Sequence, residues 1–279
     1  MRSDQLIPGR RAVLRIAACL GAAVTARILT AGQAGTPGRP PAPAPAAGPK
    51  RAAALKPSAY RLDPMTEAVL PGSRRNPPPV RQVPFLEFPE LGHTMVLTFD
   101  DGPDPAYTPG ILRTLREYDV RAMFLVCGEM VDSSPDLLRE IADDGHVIGN
   151  HTWSHPRMTK LARSEIRNEM ERTSEVIEEA IGTAPLWYRA PYGAWNRHSF
   201  ELGAELGMEP LAWTVDSHDW TTPPPPADSI VSRVLDGAGP GVVILSHDAG
   251  GDRTQSVAAL RRYLPQLLDE GYRIAVPHR

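Results

Sequence analysis

Met95-Val96-Leu97-Thr98-Phe99-Asp100-Asp101-Gly102-Pro103 is an apolar run of strand length that ends in two adjacent acids. Such residues suit a buried, pleated strand, and two carboxylates directly after one are costly unless something positive lies near. The figure repeats along the chain. Apolar runs recur at Ala122–Val126, Val147–Asn150, Leu186–Arg189, Leu211–Val215, Val242–Ser246 and Arg273–Val276. Helical patterns separate most of them. Ile111, Leu112, Leu115 and Tyr118 share one face, and Leu137, Leu138 and Ile141 another. Ile166, Met170, Thr173 and Ile177 form a longer stripe ending at Gly182, and Val257, Leu260, Leu264 and Leu267 a last one ending at Gly271. Strands alternating with helices predict parallel pairing through right-handed crossovers.

The residues at the ends of these runs point to chemistry. Asp100 and Asp101 come after the first, His151 and His155 after the third, and Arg189 ends the fourth with Pro191 and Tyr192 beyond it. Asp216 and Asp219 come after the fifth, and His247 after the sixth. Parallel strands closed into a barrel bring such ends to one mouth, whereas an open sheet spreads them along an edge. The fold class expected is therefore α/β, a distorted (β/α) barrel of about seven parallel strands. His151 and His155 are four apart, so one helical turn would put both rings on one face. Two imidazoles and a carboxylate make a three-ligand set that leaves positions open for water and substrate. Each item alone has a plainer reading: paired aspartates cap turns, and histidine pairs occur on solvated surfaces. Cys127 closes an apolar run and reads as a buried structural thiol.

The remainder of the 279 residues reads differently. Arg10, Arg11 and Arg15 precede the small, apolar stretch Ile16–Leu29, and Ala31-Gly32-Gln33-Ala34 offers small residues for cleavage, the pattern of an export signal. Gly9–Leu14 resembles a twin-arginine signal. Nearly half of the 30 prolines fall between Pro37 and Pro89, where no helical or strand period is visible. Residues 1–34 are thus expected to be an export signal, 35–90 a mostly disordered proline-rich tether, and 91–279 the catalytic domain. A net charge of −3 gives no basic field for nucleic acid.

In combination, Thr98-Phe99-Asp100-Asp101-Gly102-Pro103, His151-Thr152-Trp153-Ser154-His155, Arg189-Ala190-Pro191-Tyr192, Asp216-Ser217-His218-Asp219-Trp220 and Leu245-Ser246-His247 resemble the ordered motifs of the NodB-homology polysaccharide deacetylases, carbohydrate esterase family 4. The resemblance implies a distorted (β/α) barrel holding a divalent metal, zinc or cobalt. It also implies hydrolysis of N-acetyl groups on chitin-like oligomers or peptidoglycan. Carried over residue by residue, it makes Asp101, His151 and His155 the metal ligands and Asp100 the base that deprotonates the attacking water. Arg189 would hold Asp100 ionised and aimed. The Tyr192 N–H would stabilise the oxyanion, His247 would protonate the departing amine, and Asp219 would orient His247, with Asp216 able to reach from the same loop. Trp220 and Leu245 would line an acetyl pocket.

The expected partner is an acetylated amino-sugar polysaccharide, met by a monomer outside the cytoplasmic membrane. An esterase removing O-acetyl groups from xylan, an inactive glycan-binding wall protein and an enzyme acting on small cyclic amides are the competing readings. The acids kept beside histidines count against the second. The export signal and tether count against the third.

Overall fold

The computed structural model describes residues 77–277; the expected export signal and most of the expected tether lie outside the described residues. Strand β1 (Thr94–Asp100) is buried along its whole length and forms the middle of the sheet. Along the chain it precedes α1 (Thr108–Glu117), β2 (Met123–Val126), α2 (Gly128–Ser133), α3 (Pro135–Asp143), β3 (Val147–Asn150) and α4 (Arg163–Ile181). Next come β4 (Trp187–Tyr188), α5 (Arg197–Glu205), β5 (Glu209–Pro210), β6 (Val215–Asp216), α6 (Ala227–Asp236), β7 (Val243–His247), α7 (Thr254–Asp269) and β8 (Arg273–Ile274). The order across the sheet is β5-β4-β3-β2-β1-β7-β6, with every paired neighbour parallel. β8 joins β1 at Thr94 and Met95, ahead of the residues that pair with β2. No helix among the described residues is long and apolar enough to cross a membrane.

The strand period of two divides β1 between two environments. Met95, Leu97 and Phe99 face the helices, packing in one cluster with Leu112 and Leu115 of α1 and Leu260 and Leu264 of α7. Val96 faces the barrel interior with Met123, Leu125, Trp187, Leu211 and Val243. The same parity sends Thr98 and Asp100 inward, so the first acid of the pair is delivered to the interior by strand geometry alone.

Two expectations are corrected. The run Leu211–Val215 is not one strand. Only Val215 of it is in a strand: β5 ends just before the run at Pro210, β6 begins at its last residue, the two lie at opposite edges of the sheet, and Leu211–Thr214 crosses between them. Pro210 lacks an N–H and suits an edge, and the crossing residues find partners elsewhere: Ala212 N–H bonds Phe85 O at 2.7 Å and Thr214 N–H bonds Val243 O at 3.0 Å.

The second correction is the domain boundary. The fold begins before Leu91, because residues 85–88 bridge the gap between β5 and β7. Phe85 N–H bonds Pro210 O and Phe88 N–H bonds Gly241 O, each at 2.8 Å; Phe85 also pairs with Leu211, and Glu87 with Val242. Phe88 is buried against Trp187 at 5.7 Å between ring centroids, and Arg81 is ion-paired with Glu209 at 2.9 Å. From the sequence, the stretch from Val83 to Phe88 is the one part of the tether that could pack on the barrel as an extra strand; between prolines at 84 and 89 it does so through isolated bridges.

A chain beginning at Leu91 is therefore expected to melt well below one beginning at Pro77. Phe88→Ala in the longer chain should cost about 3–5 kcal/mol in urea unfolding, the usual loss for a large buried aromatic.

Candidate active site

The two acids end β1 in different conformations. Strand parity would point them to opposite faces, but Asp101 takes a left-handed φ of 80°, which turns its carboxylate back toward the mouth. That unfavourable conformation is held from outside. Gly102 N–H bonds Asp248 Oδ1 at 3.0 Å, and the Thr108 hydroxyl bonds Asp248 Oδ2 at 2.5 Å. Gly102 must lack a side chain, since a Cβ there would collide with the Asp248 carboxylate. Burial, reinforced by Asp101 and Asp100, pushes the Asp248 carboxyl up to about 7 despite its hydrogen bonds.

His151 comes directly after β3, its N–H bonded to Val126 O at 2.9 Å. Its Nδ1 meets Arg189 O at 2.9 Å, so Nδ1 carries the proton and the Nε2 lone pair faces the acids. Burial lowers the ring's pKa to about 3, keeping it neutral as a ligand requires. His151 Nε2 is 3.5 Å and His155 Nε2 3.3 Å from Asp101 Oδ1. The helical turn expected for this pair is not present. Thr152 and His155 have φ of 68° and 57°, and Glu169 on α4 accepts from the N–H groups of Trp153 and Ser154, so a pinned loop presents both rings.

Asp101 Oδ1 is buried with no hydrogen-bond partner among the described residues. One donor atom each from Asp101, His151 and His155 all lie within 4.8 Å of one another. A buried, unpartnered carboxylate oxygen facing two imidazole nitrogens fits a divalent ion.

Asp100 is 2% exposed and Arg189 fully buried. Burial raises the Asp100 carboxyl above its ordinary value, with Arg189 chief among the charges pulling it back. Arg189 Nη1 donates to Asp100 Oδ1 at 2.6 Å and to Thr98 Oγ1 at 2.9 Å. Its Nε and Nη2 donate to the carbonyls of Leu211 at 3.2 Å and Ala212 at 2.8 Å. The crossing segment is thus tied to the same guanidinium that holds Asp100.

Opposite stands His247 at the end of β7. Its Nδ1 is 2.7 Å from Asp219 Oδ1, and its own N–H bonds Asp219 Oδ2 at 2.9 Å. Burial alone would lower this imidazole, but the bond to Asp219 and the charges of Asp219, Asp101 and Asp100 raise it to about 9. Asp219, which burial would raise, is instead held below its ordinary value by His247 and the Ser256 hydroxyl. Asp216 is occupied elsewhere, accepting from His218 N–H and Trp220 Nε1. Of the two carboxylates on this loop, Asp219 is the one that meets His247.

These groups line one cleft of about 630 Å³. Tyr192, in a left-handed conformation at φ 61°, has no protein acceptor for its N–H among the described residues, and its ring is 58% exposed at the rim. Trp220 is 49% exposed on the same lining, while Leu245 is buried in it. The residues singled out from the sequence are therefore gathered at one mouth or directly beneath it.

Sequence reasoning missed several supports. Arg253, buried, ties Ala249 O at 2.6 Å, Gly250 O at 2.9 Å and Asp219 O at 3.0 Å. Asp248 and Ser256 hold the two catalytic loops, and Trp213 forms a wall 5.5 Å from the Arg189 guanidinium. Asp248 adjoins His247 in sequence, but its partners Gly102 and Thr108 are remote. Cys127 is buried, and burial pushes its thiol well up, as suits a structural role.

A parallel-strand barrel thus brings an Asp-His-His cluster that could hold a metal ion to the same mouth as a His–Asp pair. Residues 89–211 match the polysaccharide deacetylase family model. A peptidoglycan-N-acetylglucosamine deacetylase of Bacillus cereus is 41% identical over 64% of this chain and 65% of its own length. A chitooligosaccharide deacetylase of Rhizobium leguminosarum is 36% identical over 69% of this chain and 94% of its own. The crystal structure of the Bc1960 peptidoglycan N-acetylglucosamine deacetylase superposes with a TM-score of 0.65, at 39% identity, over 68% of this chain and 88% of that one. The chain belongs to the polysaccharide deacetylase family. A family pseudoenzyme from Bacillus anthracis superposes almost as well, with a TM-score of 0.64 at 28% identity over 70% of this chain and 67% of that one. The fold alone therefore does not carry activity; the side chains at the mouth do.

The two aspartates should separate experimentally. If the cluster holds a divalent ion, Asp101→Ala should lower the metal content in elemental analysis after loading, whereas Asp100→Asn should keep it and lose about 100- to 10,000-fold in rate, the usual range for a general base. Arg189→Lys cannot reproduce the planar fork, and should lower both the melting temperature and kcat, since breaking a buried pair costs about 3–5 kcal/mol.

Proposed function

We propose that this protein hydrolyses N-acetyl groups on an N-acetylglucosamine-type glycan, peptidoglycan or a chitin-like oligomer, with zinc or cobalt held by Asp101, His151 and His155. The observation that carries this reading is the pairing, across one solvent-open cleft, of a buried carboxylate base with an imidazole acid. The names of the relatives supply the substrate class. A divalent ion bound at the three ligands would supply Lewis acidity toward the amide carbonyl and toward a water.

The chain's own groups do the rest. Asp100, kept ionised and aimed by Arg189, takes the proton of the attacking water; burial raises its basicity and the guanidinium keeps it charged. The Tyr192 N–H donates to the oxygen that becomes negative. His247, charged through Asp219, gives a proton to the departing nitrogen, which leaves poorly as an anion. Trp220 and Leu245 enclose the acetyl methyl.

The acid pair favours an amide over an ester, since an alcohol departs more readily without help; this ranks the N-acetyl reading above O-acetyl xylan. The complete set of acids and histidines supports an active enzyme over a glycan-binding relative without catalysis. The export-type first residues support work outside the cytoplasmic membrane on a wall glycan.

Acetate release from peptidoglycan, chitooligomers and acetylxylan, with the product identified, tests the reading. Activity should vanish on chelation and return with more than one first-row ion; an undiminished chelated enzyme would overturn the metal's part. The rate should fall as pH rises through about 9, because His247 is the proton donor only below its pKa. Asp219→Asn removes the group that raises that pKa, so this alkaline limb should move to lower pH in a profile of kcat/KM. An unmoved limb would exclude the pair as the acid.

A further inference from the structure

The charges on the cleft lining are mostly committed. Asp100 is paired with Arg189, and Asp216 bonds Trp220 and His218 N–H. Arg253 spends its donors on backbone carbonyls. Arg157 is different. It lies exposed on the same lining, two residues beyond His155, with its guanidinium 4.6 Å from the centroid of the Tyr192 ring. Among the described residues, no carboxylate or carbonyl bonds to that guanidinium. Stacking on a ring orders a guanidinium while leaving its in-plane N–H donors available, the arrangement best suited to a carboxylate.

Its distance from the chemistry is informative. The Tyr192 ring lies 4.6 Å from the His155 ring, so Arg157 stands two ring contacts out from the metal set. That places it outside the metal set, on the part of the lining left for the rest of a bound substrate. A second guanidinium, Arg172, covers Trp153 of the same lining at 3.4 Å, and it too has no acid partner among the described residues. Glu129 shares this lining, so the flank is not a diffuse positive field. A single placed carboxylate suits it better than a polyanion held by charge alone.

We infer that Arg157 binds a carboxylate carried by the sugar next to the reacting N-acetyl group. The substrate class is then an acidic amino-sugar polymer, bearing side groups such as a lactyl ether, and not a neutral one. The inference rests on the deacetylase reading and narrows its substrate.

The test uses one oligomer in two forms. An N-acetylglucosaminyl–N-acetylmuramic acid tetrasaccharide, free of peptide, is compared with the same compound whose carboxylates are converted to methyl amides; chitotetraose serves as a neutral reference. The wild-type protein should favour the acid over its amide by about tenfold in kcat/KM, expressed mainly in KM, as for one charge-assisted contact at a partly exposed site. Arg157→Met, which keeps the packing on Tyr192, should abolish that preference, and Arg157→Lys should retain part of it. Equal rates on acid and amide in the wild type, or a preference that survives Arg157→Met, overturn the inference while leaving the deacetylase reading intact if chitotetraose is hydrolysed. A protein that releases acetate from none of the three overturns both.

Discussion

The Arg189 guanidinium, fully buried beneath the mouth, is the interaction on which the rest depends. An arginine without water must have its charge balanced and its donors accepted. Asp100 balances the charge; Thr98, Leu211 and Ala212 take the donors, and the residue's own carbonyl fixes the tautomer of His151. One side chain therefore joins the central strand, the segment crossing between the sheet edges, and the loop that bears a metal ligand. A buried ion pair contributes little net stability over a well-packed apolar core, so its place here is better explained by what it orients.

Around that pair the site sorts its charges by environment. The carboxylate raised by burial stands beside the metal set, and the carboxylate held low stands behind an imidazole raised to about 9. Two titratable groups driven in opposite directions within one cleft are the arrangement that the proposed base and acid require. Left-handed residues at Asp101, His155 and Tyr192 add to it. Each is a conformation that a non-glycine residue adopts at a cost, and each belongs to the cleft; Asp248 steadies the turn at Asp101 and Glu169 the loop before His155.

Much of this was legible in the sequence because chemistry and strand ends coincide. Asp100, Asp101, His151, His155, Arg189 and His247 each end or come just after an apolar run, and the run itself announces a buried strand. Structure without period escaped. Phe85 to Phe88 contributes single paired residues between prolines, and Leu211 to Thr214 is apolar because it crosses the interior, not because it continues a strand. The histidine spacing suggested a helix, yet the turn is set by Glu169, fourteen residues beyond His155 and on another element. The supporting partners Asp248, Ser256 and Arg253 act on residues distant in sequence, so no local pattern could reveal them.

The order of strands across the sheet bears on how the molecule comes into being. Among the described residues β1 is the first strand to leave the ribosome, yet it is an interior strand of the finished sheet, and β7, which covers one of its long edges, is nearly the last. Until then this buried strand has an open edge and a missing neighbour. Pairing so distant in sequence makes for slow folding, since the loop entropy must be spent before the contact rewards it. The barrel, and with it the placing of Asp100 and His247 in one cleft, cannot be assembled in halves: a chain arrested before β7 has neither His247 nor a completed sheet, and would meet its surroundings as an adhesive intermediate.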